Sequence, residues 1–353
     1  MKKKFRQILT RWYSGHKRTL PWRGVRDPYR IWLSEIILQQ TQIAQGMPYY
    51  KTFIESFPKV EDLAKASEDE VLKLWQGLGY YSRARNLHKT AQIVTDQLNG
   101  RFPGSYKELI KLPGIGDYTA SAIASICYDE ASAVVDGNVY RFFSRYFGID
   151  TPIDSGTAKS EFKNLAQELL PERDIGDHNQ AVMEFGSQQC RPKNPDCQRC
   201  VYSSSCYALQ HEMVDRLPVK KKKTKIRKRF FNYLIIKSKE GQKILMQKRQ
   251  KQDIWKNLYE FPLVETTCSV TADDAIIEEV GNQLLNNSEF ESWLYNDKDV
   301  VHKLSHQHIY AKFWIIEAEK EIETGIPISK VNSLAVPVLI QDFMEHYRLT
   351  EQA

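Results

Sequence analysis

The stretch 112–138, LPGIGDYTASAIASICYDEASAVVDGN, constrains the fold more than any other part of the chain. Its Pro-Gly-Ile-Gly turn cannot continue a helix, because proline lacks an amide N–H and glycine favours unusual φ angles. Asp117 then stands where a helix N-cap is expected. From Ala120 onward, apolar residues recur at i, i+3, i+4 and i+7. The stretch is therefore predicted to form a helix, a Gly-rich hairpin and a second helix.

The hairpin residues Pro113, Gly114 and Gly116 precede a predicted helix start, where free backbone N–H groups can hold a phosphate without base preference. An ordinary turn between two helices is the alternative. Asp136, in VVDGN, follows shortly after the second helix. The combination resembles the helix-hairpin-helix DNA glycosylase superfamily. The resemblance implies that the hairpin grips the DNA backbone and that the aspartate takes part in the chemistry.

Length and charge set the broad class. A chain of 353 residues can hold two or three domains with real cores. The formal charge is +6, and residues 220–229 contain eight basic and no acidic side chains. No run approaches the roughly 18 apolar residues of a membrane span, and the N-terminal residues lack an apolar signal core. We expect a cytoplasmic, nucleoid-associated bacterial protein that has no membrane contact.

A second informative element is the segment 26–42, RDPYRIWLSEIILQQTQ. Pro28 suits the first turn of a helix, and this helix places Glu35 among apolar neighbours. Such a carboxylate can simply have a structural partner. Burial also raises the pKa of a glutamate, as a general acid near neutral pH requires. The string WLSEIILQQTQ resembles the start of the adenine DNA glycosylases of the MutY family.

That resemblance assigns roles to individual residues. It implies that Glu35 protonates a flipped-out adenine and that Asp136 stabilises the oxocarbenium ion left on the sugar. Tyr118 and Asn138 support this transition state. The positions matched to contacts with the adenine are Arg23 and Glu184.

Tyr118 also bears on strand cleavage. In the related endonuclease III type, the residue two positions after the last hairpin glycine is a lysine that forms a Schiff base. A tyrosine cannot form an imine, so we expect a monofunctional glycosylase.

Residues 75–86, WQGLGYYSRARN, place an aromatic group beside two arginines. The glycines are predicted to break the helix and to expose Leu78 and Tyr80 on a loop, where an aromatic ring can wedge into a distorted duplex. Simple packing of the tyrosines is the alternative. The resemblance implies that Gln40 and Tyr80 enter the base stack and that Thr41 and Leu78 lie near the base opposite the adenine.

Four cysteines follow with the spacing C-x6-C-x2-C-x5-C. So many in a short intracellular segment indicate metal binding rather than disulfides. Zinc is the natural competitor, but common zinc sites use two close cysteine pairs, and this segment has one. The spacing resembles the [4Fe–4S] loop of the endonuclease III and MutY group. The predicted cluster ligands are Cys190, Cys197, Cys200 and Cys206.

The other two cysteines, Cys127 and Cys268, stand apart in the sequence and are predicted to be core residues.

Beyond the basic stretch the hydrophobic period changes from 3.6 to 2. We predict an α+β domain with strands 230–237, 243–248 and 309–316 and helices 271–285 and 336–347. This domain resembles the Nudix-like C-terminal domain of the same family. The hydrolase signature is incomplete, because Asp274 and Ala275 stand in place of its arginine and glutamate. Nucleotide hydrolysis is therefore not expected.

The tripeptide Leu304-Ser305-His306 precedes the strand 309–316. It resembles the Phe-Ser-His loop with which the family reads 8-oxoguanine, with leucine in place of phenylalanine. Without the resemblance, Ser-His in a turn would be read as an ordinary solvent-facing pair.

The chain is thus predicted to comprise a helical helix-hairpin-helix glycosylase domain with a [4Fe–4S] loop (1–217), a basic linker (218–229) and a Nudix-like α+β recognition domain (230–353). The predicted substrate is double-stranded DNA with adenine opposite 8-oxoguanine or guanine, and we expect a monomer. One alternative is a pyrimidine glycosylase of the endonuclease III type. The other is an Fe–S DNA-binding regulator without catalysis.

Overall fold

A computed structural model describes residues 2–221, 226–238, 242–271, 275–322 and 324–349. Packing divides the chain into two compact units, residues 1–66 with 85–222 and residues 67–84 with 223–353. The centre of the predicted basic linker, 222–225, lies outside the described residues, as does Asp274. The predicted domain limits remain a prediction.

The first unit is helical. Its helix α6 begins in residues that belong to the second unit, and a single 3₁₀ turn spans Ser203–Ser205. The helices are α1 (Lys2–His16), α2 (Pro28–Ile37), α3 (Ile43–Ser56), α4 (Val60–Lys65), α6 (Ser82–Gln97), α7 (Tyr106–Leu109), α8 (Asp117–Tyr128), α9 (Gly137–Phe147), α10 (Gly156–Glu168), α11 (Ile175–Gln188) and α12 (Tyr207–Gln210).

Helix starts agree with the local sequence signals, with one correction. Asp27 caps α2 by accepting a hydrogen bond from Tyr29 N at 2.9 Å, and Pro28 occupies the first turn as predicted. For α8 the N-cap is Gly116, so the predicted cap Asp117 is instead the first helical residue. A carboxylate there still favours the helix, because it faces the positive end of the helix dipole.

The core of the first unit is rich in aromatic rings, and helices α1, α9 and α11 pack around it. Phe5 from α1 stacks on Phe142 from α9 at 5.9 Å between ring centroids, and Phe185 from α11 lies 4.5 Å from Phe142. Large rings that interlock in this way resist displacement, so the core gives the helices a rigid frame.

The second unit is an α+β structure, as predicted. Its helices are α5 (Glu68–Leu74), α13 (Ala275–Leu284), α14 (Ile328–Val331) and α15 (Val338–His346). Its strands are β1 (Arg227–Ser238), β2 (Lys243–Ile244), β3 (Gln247–Lys248), β4 (Tyr259–Glu260), β5 (Leu263–Thr266), β6 (Phe290–Leu294), β7 (Val300–Lys303), β8 (Gln307–Ala318) and β9 (Ile326–Pro327).

The sheet is built on the parallel pair β1 and β8, whose register runs from Arg227 opposite Gln307 to Ser238 opposite Ala318. The order is β6-β8-β1-β2-β9, with β5 also on β1 and β7 also on β8, while β3 and β4 form a separate ribbon. The predicted strand 243–248 is therefore wrong as a single element. Its ends belong to different sheets, because the chain turns away after Ile244.

Both faces of this sheet are covered. On one face Leu234 and Trp314 pack with Ile277 of α13. On the other, Phe313 stacks on Phe343 of α15 at 4.2 Å. Alternate side chains of β1 and β8 therefore pack into two different cores, one on each face of the sheet. This explains why the sequences of these two strands are nearly continuously apolar.

Two further burial predictions were wrong. Leu78 is buried, with 5% of its surface exposed, whereas Tyr80 is exposed as predicted. The turn that carries them is fixed by Trp75, whose Nε1 donates to Gly79 O at 3.0 Å, and this turn directs the two side chains differently.

The second wrong prediction concerns the two isolated cysteines. Cys268 is exposed and Cys127 is half-buried, so neither is a full core residue.

Within the described ranges, no helix combines the length and the apolar composition that a membrane crossing requires.

Candidate active site

A cleft of about 1040 Å³ opens in the first unit. The C-terminal halves of α2 and α11 and the starts of α8 and α9 contribute to its wall. It brings together all of the predicted catalytic and adenine-contacting residues, which are far apart in sequence. The predicted residues that line it are Arg23, Glu35, Gln40, Thr41, Tyr118, Asp136, Asn138 and Glu184.

Glu35 lies on α2, half-buried at the cleft wall. Burial raises the pKa of its carboxyl group, and the negative charge of Asp136 raises it further. A hydrogen bond from Tyr118 and the positive charge of Arg23 oppose this shift without cancelling it. The group therefore retains its proton at a higher pH than an ordinary glutamate.

Asp136 is the N-cap of α9. Its Oδ1 accepts hydrogen bonds from Asn138 N at 2.9 Å and Val139 N at 2.8 Å, and its Oδ2 accepts one from Asn138 Nδ2 at 2.7 Å. Burial raises its pKa, but these three donors and Arg141 favour the ionised form. The positive end of the helix dipole acts in the same direction.

The two carboxyl groups have different surroundings. Three N–H groups donate to the oxygens of Asp136, whereas Glu35 accepts a hydrogen bond from Tyr118. Burial raises the pKa of both groups, and the larger set of donors at Asp136 opposes that rise by favouring its carboxylate. The cleft therefore holds two carboxyl groups whose hydrogen-bond environments differ.

Tyr118, near the start of α8, contacts both α2 and α11. Its hydroxyl lies 3.3 Å from Met183 Sδ and hydrogen-bonds to Glu35. Burial, and then the charges of Glu35 and Asp136, raise its pKa well above the ordinary value. The phenol is thus a proton donor rather than a phenolate.

Glu184 on α11 is buried, with 1% of its surface exposed, between two arginines. Arg18 Nε donates to Oε1 at 2.6 Å, and Arg23 Nη2 donates to Oε2 at 2.9 Å. Burial alone would raise the pKa of Glu184, but the two guanidinium groups outweigh it and keep the pKa below the ordinary value. The result is a fixed cluster of one carboxylate and two guanidinium groups in the cleft wall.

Sequence reasoning missed Arg18 and Arg141, both of which line the cleft. Arg141 Nη2 donates to Asn138 Oδ1 at 2.9 Å, and its Nε donates to Cys190 O at 2.7 Å. It therefore connects the side chain that holds Asp136 to the first cysteine of the loop. Helical spacing could have indicated that Arg141 lies one turn after Gly137, but its partner on the cysteine loop lies 49 residues away.

The predicted DNA-backbone residues form a tight hairpin before α8. Gly114 has a φ of +74°, and a Cβ there would lie 2.7 Å from Asn86 Cβ. Thr90 Oγ1 donates to Pro113 O at 2.8 Å, which fixes the turn against α6. Gly116 is exposed and caps α8, whose first N–H groups have no partner within the helix.

The four cysteine side chains line one cavity together with aromatic rings, including Phe142, Phe185 and Tyr202. Among the described residues, no three His, Cys, Asp or Glu side chains are gathered closely enough to hold a single metal ion. Burial raises the pKa of the Cys200 thiol to about 11, so thiolate formation there depends on a bound cation.

Donors already surround these sulfurs. Arg145 Nη1 lies 3.6 Å from Cys190 Sγ. Backbone N–H groups of Tyr202 and of Leu209 point at Cys200 and Cys206, respectively. Four sulfurs in an apolar cavity with N–H donors fit an anionic iron–sulfur cluster.

The remaining predicted residues lie in the second unit. Ser305 and His306 are exposed in a turn closed by the hydrogen bond from Leu304 N to Gln307 O at 2.8 Å. Tyr80 reaches this turn, where its hydroxyl donates to Ser305 Oγ at 3.1 Å. On α13, Glu278 and Glu279 are both exposed.

Comparisons with known proteins agree with this architecture. Residues 33–172 match the family model for the HhH-GPD superfamily base excision DNA repair protein, and residues 232–346 match the NUDIX domain. A thermostable thymine-DNA glycosylase is similar, with a TM-score of 0.54 and 29% identity, covering 60% of this chain and 97% of its own. An endonuclease III–DNA complex has a TM-score of 0.52 and 22% identity over 60% of this chain and 98% of its own, which shows the shared fold.

The helical unit is therefore a helix-hairpin-helix domain of the base excision DNA repair class. Adenine DNA glycosylases of Buchnera aphidicola are 36% identical over 74% of this chain and 75% of the relative (subsp. Schizaphis graminum) and 35% identical over 88% and 86% (subsp. Baizongia pistaciae). The Homo sapiens adenine DNA glycosylase is 42% identical over 60% of this chain and 41% of its own length. The chain belongs to the adenine DNA glycosylase family.

Proposed function

We propose that this chain removes adenine from DNA pairs with 8-oxoguanine or guanine, with Glu35 as the general acid and Asp136 as the stabilising anion. Family membership supplies the reaction class, hydrolysis of an adenine N-glycosidic bond in base excision repair. The observation that supports the residue roles is the pair of carboxyl groups in one cleft with different hydrogen-bond environments.

Glu35 acts first in this scheme. An adenine leaves readily only when a ring nitrogen is protonated, because the neutral base carries away less negative charge. Glu35 holds a proton because burial raises its pKa. Tyr118 orients the carboxyl group through its hydrogen bond.

Asp136 acts on the sugar. As the N-glycosidic bond breaks, positive charge develops on the deoxyribose ring, and a fixed carboxylate stabilises it. The hydrogen bonds from Asn138 hold this carboxylate in place without protonating it. Water then adds to the sugar, and the proton that it releases returns to the carboxylate of Glu35, which completes the hydrolysis.

Arg23 and Glu184 bind the flipped base. Their mutual ion pair fixes both side chains at the cleft wall. Adenine offers both ring-nitrogen acceptors and an exocyclic amine donor, which an arginine and a glutamate can contact on one edge. Thr41 and the exposed Gln40 line the mouth of the same cleft and contact the opened base pair.

Strand cleavage is not part of the reaction. The side chain beside Glu35 at the start of α8 is the phenol of Tyr118, which cannot form an imine with the ring-opened sugar. The chain is thus a monofunctional glycosylase.

Cys190, Cys197, Cys200 and Cys206 would hold a [4Fe–4S] cluster, which would cross-link the loop and supply one-electron redox chemistry there. Arg145 and the backbone donors around the cavity would neutralise part of its charge. The predicted domain limits place this loop at the end of the glycosylase domain, 1–217.

The second domain, 230–353, reads the base opposite the adenine. Ser305 and His306 offer exposed donors in a fixed turn, and Tyr80 is bonded to the same turn. Leu78, two residues before Tyr80 in the same turn, lies near the same base, and its side chain is buried in the protein without DNA. The hairpin residues Pro113, Gly114 and Gly116 hold the phosphate backbone. The protein acts as a monomer on the chromosomal DNA of a bacterial cell.

The test is single-turnover base release from duplexes with adenine opposite 8-oxoguanine, guanine or thymine, with strand scission at the abasic product followed in parallel. Adenine release from the first two duplexes, without matching scission, is expected. Release of thymine or an oxidised pyrimidine instead would favour an endonuclease III type of enzyme. Tight binding without any release would identify a DNA-binding regulator.

Glu35→Gln tests the proton donor directly. We expect base release to fall by about 10³-fold while duplex affinity changes little, because the amide keeps the shape and loses the acid. Glu161→Gln, an exposed position on α10, is the matched control. An active Glu35→Gln variant would contradict the assignment.

A further inference from the structure

The segment 132–135 runs directly into Asp136 and belongs to no helix or strand. Ser132, Ala133 and Val134 are nevertheless buried. Buried backbone groups need hydrogen-bond partners, and a segment outside a sheet must find them elsewhere. Ser132 N donates to the backbone oxygen of Glu130 at 2.6 Å, and side chains of α10 and α11 bind other backbone groups of the segment.

Asn179 of α11 takes the place of a neighbouring strand. Its Nδ2 donates to Ser132 O at 2.8 Å, and its Oδ1 accepts from Val134 N at 3.2 Å. A carboxamide presents one acceptor and donors in a plane, like a peptide group, so it can pair with residues i and i+2 of an extended chain. Nδ2 also donates to Ser125 Oγ at 2.9 Å, which ties the segment to α8. Asn179 itself is buried, with 3% of its surface exposed.

Two side chains of α10 complete this set. Gln167 Oε1 accepts from Ala133 N at 3.1 Å, and its Nε2 donates to Ala131 O at 2.6 Å. Lys163 Nζ donates to Ala133 O at 2.6 Å. The three side chains Lys163, Gln167 and Asn179 are called the segment clamp below.

Lys163 also binds the helix that carries Tyr118. Its Nζ donates to Asp117 Oδ1 at 3.1 Å and to Ser121 Oγ at 2.8 Å, both on α8. One ammonium group therefore joins the start of α8 to the backbone three residues before Asp136. The junction thus connects the residue before Tyr118 with the segment that leads to Asp136.

We propose that the segment clamp positions the Asp136 carboxylate for stabilisation of the oxocarbenium ion, so that its members are positioning residues of the reaction. This inference rests on the proposed role of Asp136. Electrostatic stabilisation requires a charge that is fixed before the reaction, and a displacement of about 1 Å can lower a rate about 10²-fold. The N-cap hydrogen bonds fix the carboxylate relative to α9. The clamp fixes the segment 132–135, which leads into Asp136.

The test measures the carboxylate through binding, without turnover. Duplexes carry either a cationic pyrrolidine nucleotide or a neutral tetrahydrofuran nucleotide at the target position. The ratio of the two dissociation constants reports how well Asp136 faces a positive charge. Asp136→Asn gives the reference value for loss of that charge.

The variants are Asn179→Leu, Lys163→Met and Gln167→Met, each of which removes clamp hydrogen bonds and keeps a similar volume. Gln167 is exposed, so its variant is expected to fold even if Asn179→Leu does not. Leu9→Ala is the control for a general loss of stability, because Leu9 is fully buried on α1 and makes none of the clamp hydrogen bonds. Thermal melts set the temperature at which every variant is folded.

We expect Asn179→Leu to lower the preference for the cationic duplex by about 10-fold, with Lys163→Met and Gln167→Met in the same direction and Leu9→Ala unchanged. Equal weakening of both duplexes, or an unchanged ratio in all three clamp variants, would overturn the positioning role. If Asp136→Asn itself leaves the ratio unchanged, it is the proposed role of Asp136 that fails, and the two failures are thereby distinguished.

Discussion

The Tyr80 hydroxyl donates a hydrogen bond to Ser305 Oγ at 3.1 Å across 225 positions of sequence. Both residues belong to the second unit. A serine that accepts this bond keeps its own proton for another acceptor, and His306 Nδ1 lies 3.2 Å from the same oxygen. The predicted wedge and the predicted reading loop therefore form one hydrogen-bonded group.

Removal of either partner should reduce discrimination between 8-oxoguanine and guanine. We expect Tyr80→Phe and Ser305→Ala each to lower the affinity ratio of the two adenine-containing duplexes about 5-fold, corresponding to roughly 1 kcal/mol for one hydrogen bond. The double variant should lose little more than either single variant, because both changes break the same bond. Tyr310→Phe, on β8, is the matched control. Fully additive losses would show that the two side chains act separately.

The pH dependence of base release should reveal Glu35. The acid must be protonated, so the single-turnover rate should fall as the pH rises through the raised pKa of Glu35. The Tyr118 hydrogen bond lowers that pKa, so Tyr118→Phe should move the alkaline limb to higher pH. The measurement is the single-turnover rate of base release between pH 5 and 9 at saturating enzyme, for the unchanged protein and for Tyr118→Phe. Tyr140→Phe is the control variant. A limb that moves to lower pH would contradict the assigned hydrogen bond.

Gly114→Ala should disrupt the hairpin. A φ of +74° disfavours alanine, and the new Cβ would approach Asn86 Cβ to 2.7 Å. We expect the free energy of unfolding to fall by about 1–2 kcal/mol and duplex affinity to fall about 10-fold, with a shallower salt dependence. Gly156→Ala, where a Cβ would meet nothing within 4 Å, should leave both unchanged. Retained affinity and salt dependence in Gly114→Ala would remove the hairpin from the DNA interface.

Arg141→Met should affect the cleft and the cysteine loop together. Its guanidinium bonds both Asn138 Oδ1 and Cys190 O, so its loss frees the side chain that holds Asp136 and one end of the loop. We expect base release to fall by about 10–100-fold and the visible absorbance of a loaded cluster to be lost faster in air. Arg101→Met, at an exposed position, is the control. A change in base release alone would limit the role of Arg141 to the cleft, and a change in the cluster absorbance alone would limit it to the cysteine loop.

Local sequence signals predicted the elements that carry the chemistry. Pro28 at a helix start placed Glu35 on a helix, the Pro-Gly turn placed the hairpin before α8, and cysteine spacing placed four sulfurs in one loop. These features depend on residues a few positions apart, whose backbone preferences and hydrophobic period act within a single turn or helix. The α+β character of the second unit was predicted for the same reason.

Only the tertiary structure decided which distant side chains meet. Arg18 with Glu184, Arg141 with Cys190 and Asn179 with Val134 are separated by 166, 49 and 45 positions, respectively. The sequence pattern likewise did not show that Leu78 is buried or that Tyr80 donates a hydrogen bond to Ser305. Such contacts form because packed helices and strands bring their faces together, and the resulting loss of solvent sets the charge state of Glu35. The sequence alone determined the local elements and the residue types available for catalysis, whereas the tertiary packing determined their partners and their proton affinities.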